Sequence, residues 1–86
     1  MASVEEVKAN VAASVDGTQR AMSGMQHVSD QLDDALALLR MTAIGSVHPQ
    51  VAAAIAQLEQ ARTRLDEAAA LARAAVDSAD AYRMIV

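Results

Sequence analysis

Two ladders of apolar and small residues, one in each half of the chain, constrain this fold more than any other feature. Alternating steps of three and four from Val4 give Val4, Val7, Val11, Ser14, Thr18, Ala21, Met25, Val28, Leu32, Ala35 and Leu39. The same steps from Val51 give Val51, Ala54, Leu58, Ala61, Leu65, Ala68, Ala72, Ala75, Ala79, Tyr82 and Val86. That spacing keeps one stripe of a helix facing one partner. A single break, Thr42-Ala43-Ile44-Gly45-Ser46-Val47-His48-Pro49, separates the ladders. The reading is an all-α chain: an antiparallel two-helix hairpin that associates into a four-helix bundle.

The 86 residues form one domain, 1–86, with helix one at about 4–41, the turn at about 42–47 and helix two at about 48–84. Ser3 and Glu6 make a capping box ahead of the first ladder. Glu5 and Glu6 suit the positive end of the helix dipole, and Arg40 suits the negative end. Asp16-Gly17-Thr18 is a turn-like string inside helix one. The ladder nevertheless keeps its phase there, which favours one continuous helix over two shorter ones. Gly17 and Gly24 are seven apart and share a face. They are either a slot for another backbone or glycines the helix tolerates.

In the turn, Gly45 is expected to adopt the left-handed conformation of a C-cap. Ser46 is expected to N-cap helix two, with Val47, His48 and Pro49 in its first turn, where the missing proline N–H is harmless. Helix two then carries 13 alanines and no further Gly or Pro, a composition of high helix propensity. Antiparallel pairing about this turn sets charges of opposite sign level with each other. Glu5 and Glu6 face Arg83, Lys8 faces Asp80, Asp16 faces Arg73, Arg20 faces Asp66 and Glu67, and Asp30 faces Arg62.

A hairpin of this size buries one seam, and this seam lacks large rings. There is one Tyr, no Phe and no Trp. Alanine contacts remove little apolar area from water, so further helices are the expected remedy. A second apolar stripe flanks the ladders: Val15, Met22, Leu36 and Leu38 on helix one, and Ile55, Leu71, Val76 and Ile85 on helix two. A stripe this wide suits a multi-helix bundle. These residues, with Tyr82, are the candidate interface, an exposed apolar fringe being the alternative. The end of the chain, Tyr82 to Val86, is either a docking tail or a frayed terminus.

No catalytic residue, cofactor site or metal site is read from the sequence. His27 lies off the seam and His48 beside Pro49; neither belongs to the helical ligand pair of a bundle metal site. Asp30, Asp33 and Asp34 sit inside the helical pattern and lack the mid-loop glycine of a calcium loop. The net charge of −4 and the absence of a basic stripe argue against nucleic acid. No apolar run reaches the length of a membrane span, so no membrane insertion is expected, nor a small-molecule substrate. The acidic N-terminal segment lacks a signal core. The expected location is the cytoplasm, or outside it by a route without a cleavable signal peptide.

The layout resembles the WXG100 (ESAT-6-like) helical hairpins of type VII secretion in length, in its two long helices, in its central turn and in its alanine content. Where that group carries Trp-x-Gly in the turn, this chain has Ala43-Ile44-Gly45. Where some members carry Tyr-x-x-x-Asp/Glu after helix two, this chain has Tyr82 followed by Val86. It is also similar to small actinobacterial hairpin proteins around Thr42 to Val51 and along Leu58 to Ala68. The resemblance implies a non-enzymatic protein–protein interaction module. Such a module would be an accessory or targeting partner of a secreted or toxin-like protein, associating with itself as a homodimer or higher, with another helical protein, or with both. Two other jobs fit a bare helical hairpin: a structural subunit of a filament or needle, and a cytosolic regulator or antitoxin.

Overall fold

The computed structural model describes residues 3–45 and 48–85. Two helices, α1 (Val4–Ala43) and α2 (Pro49–Ile85), run antiparallel against each other. At 1.5 Å per residue a helix of 40 residues spans about 60 Å, and the molecule measures 63 × 20 × 15 Å. It is a rod two helices wide.

The start of α1 follows the sequence closely. Ser3 is extended at φ −74° and ψ 164°, and its Oγ accepts the Glu6 N–H at 3.1 Å. That bond satisfies one of the N–H groups that every helix start leaves unpaired. The helix then passes through Asp16-Gly17-Thr18 without interruption. Side chains brace this stretch on either side of the glycine. Thr18 Oγ1 donates to the Ser14 carbonyl at 2.8 Å, and Arg20 reaches back to Asp16 at 2.7 Å.

The turn departs from expectation. α1 continues to Ala43, and its C-cap Ile44 has ordinary right-handed geometry at φ −56° and ψ −35°. Gly45 does not have a positive φ; among the described residues none does. The left-handed cap is therefore corrected: the chain leaves α1 through right-handed angles. Ser46 and Val47 lie outside the described residues. His48 is not in the helix but caps it. Its carbonyl accepts the N–H of Val51 at 3.1 Å, and its Nδ1 accepts the N–H of Gln50 at 3.2 Å. Pro49 is the first helical residue, the position where its fixed φ helps and its missing N–H costs nothing.

The seam is rotated from the expected one by the same step in both helices. One rung of each ladder holds: Val11, Thr18, Met25, Leu32 and Leu39 on α1, and Val51, Leu58, Leu65, Ala72 and Ala79 on α2 are half-buried between the helices. The other rung moves on by one residue. Val15, Met22, Ser29 and Leu36 face α2, whereas Ser14, Ala21 and Val28 are exposed and Ala35 is half-buried. On α2 the same step brings Ile55, Arg62, Ala69 and Val76 to the seam; Ala61 and Ala75 are exposed, while Ala54 and Ala68 stay half-buried. The core proper is Val15, Leu36 and Val76, at 7, 3 and 8% exposure, with Ser29 buried beside them.

Side-chain size explains the rotation. The expected rung offers mainly alanine, with one serine, Val28, and Val7 and Tyr82 at its ends. The observed rung offers Val15, Met22, Leu36, Ile55 and Val76, and burial stabilises in proportion to apolar area removed from water. The rotation also brings Ser29 and Arg62 to the seam. Arg62 meets that problem by turning its head group outward to Asp33 on α1 and Asp66 on its own helix. Its Nε is buried without a hydrogen-bond partner.

Candidate interaction surfaces

The rotated seam gives the hairpin two broad faces of opposite character. On one, the flanks of the helices carry Gln19, Gln26, Asp33 and Arg40 from α1 and Glu59, Asp66, Arg73 and Asp80 from α2. Arg40 meets Glu59 at 2.9 Å, and Asp33 meets Arg62. Farther along, these flanks wall an open groove of about 560 Å³. Its floor is Met22, Met25, Leu65 and Val76, and Ser29 and Ala69 are too small to close it. Near the chain ends Lys8, Asp80, Arg83 and Met84 line a second, shallow groove.

Several anticipated charge pairs are redrawn. Arg62 binds Asp33 rather than Asp30, one helical turn farther along α1, while Asp30 accepts from Gln26. Arg20 bonds Asp16 within α1 rather than Asp66 or Glu67, and Arg83 bonds Asp80 within α2 rather than Glu5 or Glu6. Lys8 and Asp80 do share one groove. Pairs three or four residues apart on one helix need no tertiary register, which is why they compete well with cross-helix partners.

The nine candidate interface residues divide. Val15, Leu36 and Val76 are buried inside the hairpin, and Met22, Ile55 and Tyr82 are half-buried. For the three buried residues an outward docking role is corrected: they form the intramolecular core because the seam has turned toward them. Leu38, Leu71 and Ile85 point outward and are mostly exposed. They lie on the second broad face, opposite the groove. Val28, assigned to the seam from sequence, joins them there. Gly17 and Gly24 are on this face too, and a Cβ at either would meet nothing within 4 Å. Within the chain, then, neither glycine is needed for close approach.

What sequence reasoning missed is the polarity of the two faces. The signal was available in the run Gln19, Gln26, Asp33, Arg40, spaced by seven, but it becomes a face only once the seam phase is known. Among the described residues no group of three or more His, Cys, Asp or Glu is placed to hold a metal ion. Nor is any described helix long and apolar enough to cross a membrane. Comparison of the chain with protein-family models, with curated proteins and with solved structures gives no significant match.

Proposed function

We propose that this chain is a non-enzymatic protein–protein interaction module, a WXG100-like accessory or targeting partner in type VII secretion or toxin delivery. The observation that carries the helix-binding part is the thinness of the core. Among the described residues three apolar side chains are buried, and none falls below 2% exposure. Val28, Leu38, Leu71 and Ile85 stand in solvent along one face. A chain that leaves this much of its aliphatic surface uncovered has more to gain by meeting another helix than by its own packing. The secretion part rests on the resemblance in length, hairpin layout and turn.

The test is co-expression with the product of an adjacent gene, chosen for a long helical N-terminus or a secretion ATPase domain. Stable co-purification in a fixed stoichiometry, lost when Leu38 and Leu71 are changed to Asp, is the expected result. A filament subunit would instead show light scattering that rises with concentration without reaching a plateau. Failure to bind any product of the neighbouring genes would remove the secretion reading.

A further inference from the structure

The groove on the charged face has three kinds of lining, each from a different strip of the hairpin. Its floor is apolar: Met22, Met25, Leu65 and Val76. Its α1 wall is neutral and hydrogen-bonding: Gln19, Ser23, Gln26 and, at the foot, Ser29. Its α2 wall is charged, with Asp66, Arg73, Asp77 and Asp80.

Much of this polar lining is unused. Thr18, Thr42 and Thr63 each donate their hydroxyl to the carbonyl four residues earlier. Ser29 does not. It is 5% exposed, and among the described residues its hydroxyl has no hydrogen-bond partner. A buried hydroxyl left unpaired costs stability, which a bound donor or acceptor restores. Gln19 and Ser23 likewise have no side-chain partner there, and Gln26 uses only its amide N–H, on Asp30 at 3.1 Å. On α2, Asp66 and Asp80 meet Arg62 and Arg83, but Arg73 and Asp77 pair with nothing among the described residues.

This lining suits an extended chain better than a helix. A helix keeps its backbone N–H and C=O groups within itself and has none to offer a row of amide and hydroxyl side chains. An extended segment offers both along its whole length, and glutamine and serine can each donate and accept. Its successive side chains point to opposite sides, so alternate ones reach the floor. The size agrees. The groove, at about 560 Å³, lies within the roughly 300–1,000 Å³ of ligand sites. From Leu65 to Asp80 α2 rises roughly 22 Å, the length of about six or seven extended residues. Charge sets the composition. Three carboxylates stand against one guanidinium on the wall, in a chain of net charge −4.

We propose that this groove binds an extended peptide segment of alternating apolar and basic residues. The backbone of the segment lies along Gln19, Ser23, Gln26 and Ser29, its apolar side chains rest on the floor, and a basic side chain meets Asp77. The site goes with reading the chain as an interaction module but uses the face away from Leu38 and Leu71, so a seated peptide leaves that face open.

The test is fluorescence anisotropy of a labelled peptide alternating leucine and lysine, titrated with the full chain. Saturable binding is expected. A leucine–glutamate version should bind about tenfold more weakly or worse, and so should a leucine–lysine version with its backbone N-methylated. Asp77→Lys, and Gln19→Ala with Ser23→Ala, change exposed positions. Circular dichroism should show their helicity retained while affinity falls about fivefold or more. Ser29→Ala should raise the melting temperature yet weaken the peptide by about threefold, opposite signs that a purely structural serine does not give. Leu71→Asp should leave the affinity unchanged. No binding, or equal binding of the glutamate or N-methylated peptide, would overturn the proposal. Tighter binding of a stapled helical peptide of the same composition would assign the groove to a helix and overturn the extended geometry. Co-purification with a neighbouring gene product, tested through Leu38 and Leu71, stands or falls separately.

Discussion

Leu36 and Leu38 are two positions apart on α1 and should differ most in the effect of their removal. Leu36 is almost fully buried, so Leu36→Ala should cost about 2–3 kcal/mol by the usual large-to-small penalty. In the isolated hairpin Leu38→Ala should cost a few tenths at most, because Leu38 is mostly exposed. Urea unfolding of both variants checks the order; the sequence-derived seam, which left both outside it, predicts no such gap. Gly17 tests the opposite sign. It lies mid-helix with open space around it, so Gly17→Ala should stabilise by about 0.5–1 kcal/mol through helix propensity alone. Arg62 is the unusual seam residue. It gives up hydrogen bonding at Nε to keep its head group near two carboxylates. Arg62→Met would fill the same path with an apolar chain and leave Asp33 in contact with water. A change in stability smaller than about 1 kcal/mol is expected, and a loss of several would show that the ion pair holds the register.

At the scale of the helices, the informative ends are those where side chains replace missing backbone partners. His48 supplies a ring nitrogen to the Gln50 N–H at the start of α2. Removing that acceptor with His48→Ala should lower stability by about 0.5–1 kcal/mol, and His48→Asp should recover it by accepting the same N–H next to the helix dipole. Equal melting temperatures for all three proteins would mean that the contact is not a cap. Gly45→Ala should be neutral, since Gly45 adopts no angle that alanine avoids. Much of this level was legible in the residues. Ser3 with Glu6 marks the start of α1, Pro49 marks the start of α2, and unbroken phase across Gly17 marks continuity. The second rung of the seam was not legible. A ladder with alternating steps of three and four reads equally well with either step first. From Val11 the chain offers both Ser14 and Val15, and from Val51 both Ala54 and Ile55. Both choices keep period and phase; only summed burial across two helices decides between them. The same ambiguity hid the candidate surface, because which of Leu36 and Leu38 is free depends on that choice.

The molecule is a rod in which almost every described side chain touches water, and this sets how its stability should respond to conditions. Its ion pairs among the described residues are exposed or half-exposed. Each contributes tenths of a kcal/mol and is screened by salt, so high sodium chloride should move the melting temperature little. Protein concentration is the stronger variable. A seam with three buried apolar residues has little to set against the conformational entropy of ordering two long helices. Where the proposed helix association covers the face of Val28, Leu38 and Leu71 with a second copy, unfolding is coupled to dissociation. The stability of the assembly then rises by about 1.4 kcal/mol for each tenfold increase in protein concentration. Thermal melts by circular dichroism over a hundredfold concentration range should therefore show midpoints that climb steadily, while Leu71→Asp gives a lower midpoint that does not move. A wild-type midpoint independent of concentration would mean that this thin seam suffices by itself. The exposed leucines would then have to be explained by something other than the energetics of folding.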